Sequence, residues 1–161
     1  MAEFIDLLWH DKYLVIVLEL VVALLLGLMV GYERSYRGRA AGMRTYGFVC
    51  MASCAMTTIS GYPELWFGMH TNVGVIDPTR VIQGIITGIG FLGAGVIMRD
   101  GLNISGLTTA ASIWAVSAVG ILVGVGFYVP AVFLSSILMI VMMWGSNIEK
   151  LFPAHHAVAV T

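Results

Sequence analysis

A glycine-rich stretch without a charge separates Arg80 from Arg99: it has eighteen residues, and five of them are glycines. As an α-helix it would be about 27 Å long, close to the hydrocarbon thickness of a bilayer. In water each glycine would cost such a helix roughly 1 kcal/mol relative to alanine. In lipid the backbone must stay hydrogen-bonded, and small residues let neighbouring helices approach closely. The stretch therefore predicts a membrane helix that packs through glycines on two faces: Gly84, Gly88 and Gly95 on one, Gly90 and Gly93 on the other.

The same stretch contains Gly88-x-Gly90-x-x-Gly93, which has the spacing of a dinucleotide-binding fingerprint. That motif holds a pyrophosphate where it follows a strand and opens a helix. Here it lies inside an apolar run with no strand predicted before it, so helix packing is the better interpretation. The sequence contains no nucleophile paired with a base, no HExxH motif and no phosphate-binding loop, and we expect no enzymatic activity.

The composition agrees with a membrane location, because 59% of the residues are hydrophobic, only 11% are charged and the mean hydropathy is +0.93. Soluble domains are about a quarter charged. We therefore predict an all-α polytopic membrane protein whose first partner is the lipid bilayer. The net charge of −1 gives no support to nucleic acid as a partner.

The apolar runs predict about five transmembrane helices. On this arrangement Lys12 and Arg80 fall on one side and six basic residues on the other, so the positive-inside rule places the N-terminus outside and the C-terminus in the cytoplasm. The predicted organisation is a short periplasmic segment over residues 1–12, a transmembrane domain over 13–146 and a short cytoplasmic tail over 147–161. The predicted spans run from Tyr13 to Tyr32, from Tyr46 to about Ser60, through the glycine-rich stretch, from Leu107 to about Phe127, and from Pro130 to Gly145.

Glu19 is a charge inside the first predicted span. It shares one helix face with Ala23, Gly27 and Gly31, because these residues follow it at four-residue intervals. A carboxyl group facing lipid would cost a few kcal/mol, so Glu19 is expected to face protein or water. It is either a paired or protonated group that fixes helix packing or a functional acid, and the sequence leaves both interpretations open.

A dense polar loop follows the first span and contains Glu33, Arg34, Arg37, Arg44 and Thr45. Its basic residues fit a cytoplasmic loop that sets the topology and faces lipid headgroups. That explanation does not account for an acid at the end of the helix. The three arginines could instead hold Glu33 or an anionic ligand.

Other polar groups lie near or within the predicted spans. Asp77 precedes Pro78 and is expected to cap the glycine-rich helix. Magnesium prefers carboxylate oxygens, for which Glu19 and Asp77 are the candidates, although one acid at membrane depth counts against a dedicated magnesium site. We expect no bound cofactor, with Mg²⁺ open as a ligand or a transported ion. Together with Glu19, a cation or proton pathway could use the following polar groups: Gln83, Thr87, Thr108, Thr109 and Ser112.

Three stretches are similar to the motifs of a known family: GYERSYRGRAAGMRTYGFV at 31–49, DPTRVIQGIITGIGFLGAGVIMRDG at 77–101 and ISGLTTAASIWAVSAVGILVGVG at 104–126. Together they closely resemble the membrane domain of the MgtC/SapB family. The resemblance implies functional roles for the polar residues of these motifs: Glu33, Arg34, Arg37, Arg44, Thr45, Asp77, Arg80, Arg99, Thr108 and Thr109.

The resemblance implies a protein of the bacterial inner membrane that takes part in adaptation to low magnesium, to acid or to an intracellular host environment. It also implies action on other membrane proteins, the F-type ATP synthase among them, or movement of an ion. Many members carry a cytoplasmic ACT-like domain after the fifth helix; because the sequence ends soon after that helix, we expect this domain to be absent. Gln83 departs from the family pattern, in which the glutamine after the arginine of this helix comes one place later.

Small residues are spread over several predicted helices, and five short helices cannot bury all of them among themselves. We therefore expect a homo-oligomer, most simply a homodimer. Two hypotheses for the function follow: a regulatory protein that acts through helix contacts with itself or another membrane complex, or a small transporter or channel for Mg²⁺, another cation or protons.

Overall fold

The computed structural model describes residues 11–62, 77–101 and 103–151. Within these residues it contains five α-helices and one antiparallel β-hairpin. The predicted all-α polytopic membrane fold is confirmed. The elements are α1 (Asp11–Tyr36), α2 (Met43–Gly61), α3 (Pro78–Val96), β1 (Met98–Asp100), β2 (Asn103–Ser105), α4 (Leu107–Gly124) and α5 (Tyr128–Leu151).

Four of these helices are long and apolar enough to cross a membrane, over Lys12–Tyr36, Pro78–Val96, Leu107–Gly124 and Tyr128–Gly145. The remaining helix, α2, has 19 residues and would be about 28 Å long. It is less apolar because it carries buried hydroxyl groups, including those of Ser53, Thr57 and Thr58. The side of the membrane on which each end lies stays a prediction.

Helix α2 lies between α1 and α4, and glycines make both contacts close. A Cβ atom at Gly27 of α1 would come within 2.6 Å of the Tyr46 carbonyl oxygen on α2. On the other side, a Cβ atom at Gly120 of α4 would collide with the Cys50 carbonyl oxygen, and one at Gly124 would lie 2.7 Å from the Cys54 carbonyl oxygen. Backbone therefore meets backbone on both sides of α2.

Most glycines of α3 do not make the helix contacts that the sequence predicts within the part of the chain that the structure describes. Ile85, Ile89 and Gly93 face the bundle and are buried. Among the described residues, a Cβ atom at any of the other four glycines would meet nothing within 4 Å, so packing through them stays a prediction: Gly84, Gly88, Gly90 and Gly95. The helix is continuous, and its outward face is the glycine-rich one.

The predicted polar turn after α3 is a β-hairpin in which Met98 pairs with Ser105. Gly101 (φ +60°) and Gly106 (φ +87°) provide left-handed conformations that favour glycine. A Cβ atom at Gly106 would also collide with the Val96 carbonyl oxygen. The hairpin therefore joins α3 to α4 tightly and fixes where α4 begins.

Two helices extend beyond their predicted ends. The first continues to Tyr36, so Glu33 and Arg34 lie in its last turns and not in the loop. The fifth continues to Leu151, so the start of the predicted tail is helical. The predicted N-terminal segment lies outside the described residues except for its last two positions, as do the predicted tail beyond residue 151 and the loop over 63–76.

The close glycine contacts predict that alanine substitutions at Gly120 and Gly95 differ in their effect on stability. Gly120→Ala forces α4 away from the α2 backbone, so we expect the free energy of unfolding to fall by about 2 to 4 kcal/mol. Gly95→Ala enters open space and, through helix propensity, changes stability by at most about 1 kcal/mol. Unfolding in mixed micelles by denaturing detergent measures both, and equal stability of the two variants would contradict this packing.

Candidate functional site

A buried ion cluster lies at the end of α1. The Glu33 side chain is only 6% exposed, and Arg37 Nε lies 2.6 Å from its Oε1 atom. Arg34 Nε lies 3.5 Å from Glu33 Oε2, an atom that is buried and accepts no hydrogen bond from the described residues. Two contacts join the cluster to α5: Arg34 Nε donates to Met142 Sδ at 3.3 Å, and Arg37 Nη2 donates to the Met143 carbonyl oxygen at 2.8 Å.

This cluster forms one wall of a cavity of about 680 Å³ between α1, α4 and α5. The predicted hydroxyl groups of Thr108, Thr109 and Ser112 lie on the opposite wall. Among the described residues, three arginines and one glutamate line the cavity, so these charged side chains sum to +2. The charged members are Glu33, Arg34, Arg37 and Arg39.

The first turn of α4 borders the cavity. Its N-cap is Gly106, which has no side chain to accept from the helix N–H groups, and the first backbone bond in the helix comes from Ala110 to the Gly106 carbonyl oxygen. The N–H groups of the first turn thus have no acceptor within the helix. Ser112 donates to the Thr109 carbonyl oxygen and forms a short hydrogen bond with Tyr46, which anchors this turn to α2.

Glu19 belongs to a second cluster at the opposite end of α1. Its side chain is 7% exposed, so the prediction that it faces protein agrees with the structure. Thr58 donates to Glu19 Oε2 at 2.9 Å, and Tyr128 donates to Glu19 Oε1 at 2.8 Å. The acid therefore ties together α1, α2 and the first residue of α5.

The remaining predicted site residues lie apart from both clusters and are exposed. Asp77 caps α3 by accepting from the Thr79 N–H at 3.0 Å, as predicted, and Arg80 Nε lies 3.9 Å from its other oxygen. Arg99 donates to the Gly101 carbonyl oxygen at 3.1 Å in the hairpin. Three further residues lie elsewhere on the surface: Arg44 and Thr45 at the start of α2, and Gln83 on α3.

Sequence reasoning missed several partners that only the fold supplies. Tyr46 is fully buried and reaches Ser112 across 66 positions, and Tyr128 reaches Glu19 across 109 positions. Arg39 joins the cavity although it was not among the predicted site residues. A buried tyrosine beside a glycine-rich face indicates that its hydroxyl group has a hydrogen-bond partner, but the sequence does not identify that partner.

The two predicted magnesium ligands do not come together with other acids. In the part of the chain that the structure describes, no group of three or more histidine, cysteine or acidic side chains is close enough to hold a metal ion. Both oxygens of Glu19 accept hydrogen bonds, and Asp77 Oδ1 accepts from the backbone and hydroxyl groups of Thr79.

The Glu19 cluster predicts graded effects on stability. Glu19→Leu leaves the donors on Thr58 and Tyr128 without an acceptor, so we expect the free energy of unfolding to fall by about 2 to 4 kcal/mol. Glu19→Gln keeps one acceptor and should lose less than half of that. Detergent unfolding measures the series, and a Glu19→Leu protein as stable as the parent would refute these hydrogen bonds.

The cap on α3 predicts a pH dependence. Hydrogen bonds from Thr79 hold the pKa of Asp77 below its ordinary value. The stabilisation is therefore present above the unfolded-state pKa of about 4 and is lost as the pH falls through the lower folded-state pKa. Melting temperatures from pH 7 to pH 3 should show the advantage over Asp77→Ala shrinking toward that of an uncharged cap at the acid end. Asp77→Asn, which caps without a charge, should show no such loss, and a parallel loss in this variant would contradict the assignment.

Comparison with known proteins places this arrangement in a family. A model of the MgtC family matches residues 20–151. The chain is 39% identical over 112 residues to Protein MgtC of Salmonella typhimurium strain LT2, covering 68% of this chain and 43% of that protein. It is 38% identical over 117 residues to Protein SapB of Bacillus subtilis strain 168, covering 72% and 50%.

A third relative, Protein MgtC of Brucella abortus strain 2308, is 42% identical over 104 residues, covering 65% of this chain and 40% of that protein. The chain thus spans half or less of the length of these relatives. No solved structure matches. The resemblance seen in the three motifs is confirmed, and the chain belongs to the MgtC family.

Proposed function

We propose that this protein is a bacterial inner-membrane regulator that takes part in magnesium homeostasis and in adaptation to low magnesium or acid. It acts through helix contacts, first with a second copy of itself and then with another membrane complex, for which the F-type ATP synthase is a candidate. The observation that carries this proposal is the outward face of α3.

The outward face of α3 has the composition of a helix–helix contact. Ile85 and Ile89 face the bundle, whereas small and polar residues share the outward side with three exposed apolar residues, Ile86, Phe91 and Leu92. A helix surrounded by lipid gains nothing from these small and polar residues, because lipid contacts do not require close approach and a polar amide finds no partner there. The small and polar members of the outward face are Gln83, Gly84, Thr87, Gly88, Gly90, Ala94 and Gly95.

The placement of the acids supports regulation over magnesium transport. Glu19 and Glu33 are buried on the same helix, fourteen residues apart, which separates their backbones by about 21 Å. They cannot share one ion in a single chain. Each already has close partners, namely two hydroxyl groups for Glu19 and two arginines for Glu33.

A small cation or proton pathway is the alternative. The observation that favours it is a buried acid with hydroxyl donors inside the span, since ionisable groups at membrane depth often mark such pathways. On this alternative, Glu19 would exchange its hydrogen bonds for a passing proton or ion. Its hydroxyl partners give it a structural role that the regulator requires as well.

Cysteine crosslinking in native membranes tests the proposed contact. Thr87→Cys places a thiol at the centre of the outward face of α3, and we expect an oxidant to convert most of the protein to a disulfide-linked dimer. Phe133→Cys is the matched control, because Phe133 is 67% exposed on α5, which carries no such face. The two native cysteines are buried and should give no dimer in the parent protein.

Combining Thr87→Cys with Gly88→Leu extends the test. Gly88 has open space around it in one chain, so the leucine does not disturb the fold, but it blocks close approach of a second helix. We expect the crosslinked fraction to fall at least several-fold. Crosslinking that is absent from Thr87→Cys, or that matches the Phe133→Cys control, would overturn the α3 contact.

A further inference from the structure

The cavity between α1, α4 and α5 contains an arginine that is ready to bind an anion. Arg34 is only 6% exposed and lines the cavity. Its contacts with Met142 and Glu33 both use Nε. No described residue accepts a hydrogen bond from its two terminal nitrogens. A buried guanidinium group with unused donors favours a ligand with oxygen acceptors, because arginine binds carboxylates and phosphates through such pairs.

The first turn of α4 faces the same space and adds neutral donors. Gly106, Leu107, Thr108 and Thr109 all line the cavity, and the N–H groups of this turn have no acceptor within the helix. Helix N-termini favour anions for this reason and through the helix dipole. The Thr108 side chain is exposed to the cavity and supplies a hydroxyl group. The helix terminus and the arginine thus both favour a negatively charged ligand.

The charge of the cavity also favours an anion. Glu33 is already neutralised by Arg37 at 2.6 Å and by Arg34 at 3.5 Å. Its carboxylate holds these arginines beside the cavity, and Arg39 adds a further positive charge. With three arginines against one glutamate among the described lining residues, a ligand carrying one or two negative charges would bring these side chains close to neutrality.

The rest of the lining is apolar and continues along the membrane-spanning parts of α4 and α5. Trp114 and Ala115 lie about two turns into α4, and Leu138 and Val141 line the cavity from α5. The charged end lies where α1 ends and α4 begins, which is the level of a membrane surface. A ligand that fits both parts has a phosphate at one end and hydrocarbon at the other.

We propose that this cavity binds the phosphate group of an anionic phospholipid, with Arg34, Thr108 and the first turn of α4 around the phosphate and an acyl chain against Trp114 and Leu138. The phosphate chemistry is shared with free inorganic phosphate; the apolar wall favours the lipid. The site does not depend on whether the protein moves an ion.

Binding to the delipidated protein in detergent tests the assignment, with native mass spectrometry as the readout. The probes are dioleoyl phosphatidylglycerol, dioleoylglycerol, which has the same chains and no phosphate, and inorganic phosphate. We expect phosphatidylglycerol to bind at least about tenfold more tightly than dioleoylglycerol, and Arg34→Gln to remove that preference. Arg44→Gln makes the same charge change outside the cavity and should leave the preference unchanged.

Two variants keep the test valid if Arg34→Gln folds poorly. Thr108→Val removes a hydroxyl group that has no protein partner among the described contacts, and it should weaken phosphatidylglycerol binding several-fold. Ala115→Phe fills the apolar wall and should weaken phosphatidylglycerol without affecting inorganic phosphate. Melting temperatures of all variants show which of them are folded.

The outcomes separate the two sources of phosphate. Loss of phosphatidylglycerol binding in Thr108→Val and Ala115→Phe supports the lipid. A second outcome supports the phosphate chemistry and overturns the lipid. In that outcome inorganic phosphate binds, Thr108→Val weakens its binding and Ala115→Phe does not, while phosphatidylglycerol binds no more tightly than dioleoylglycerol. Equal binding of phosphatidylglycerol and dioleoylglycerol with no bound inorganic phosphate overturns the proposal.

Discussion

The structure depends on backbone-to-backbone contact on both sides of α2. This helix carries buried hydroxyl groups and is the least apolar of the five, so it cannot be held by large apolar side chains alone. Gly27 and Gly31 on α1 and Gly120 and Gly124 on α4 let it approach both neighbours until van der Waals contact is made. In lipid, where burying apolar surface between helices gains little, such contacts and interhelical hydrogen bonds provide the stabilisation.

In the part of the chain that the structure describes, the buried acids lie toward the two ends of α1. At one end, Glu19 joins three helices through hydroxyl groups. At the other, Glu33 holds two arginines beside a cavity that opens between α4 and α5. A further unusual surface is the outward face of α3, where the small residues have no neighbour in the part of the chain that the structure describes. Acids that already have partners, and a close-packing face without a neighbour among the described residues, both support the proposed role in helix contacts over magnesium conduction.

Much of this arrangement could be predicted from local sequence. The cap at Asp77, the inward direction of Glu19 and the grouping of Arg34 and Arg37 with Glu33 all depend on residues within one or two helical turns. The pairing of Tyr128 with Glu19 and that of Ser112 with Tyr46 could not be predicted, because the helix order in the bundle brings each pair together across many positions. Glycine spacing is equally regular on α1 and α3, but it does not say whether the neighbour lies in the same chain. Ile85 and Ile89 decide that question by occupying the inward face of α3.

Magnesium flux into proteoliposomes tests the central claim most directly. The purified protein would be compared with empty liposomes under an inward gradient and under an imposed membrane potential, with Glu19→Gln and Asp77→Asn as variants. A regulator should give no uptake above empty liposomes in either condition, for the parent and both variants alike. Saturable uptake by the parent that Glu19→Gln abolishes, in a variant that remains folded, would contradict the account and make the acid part of an ion pathway.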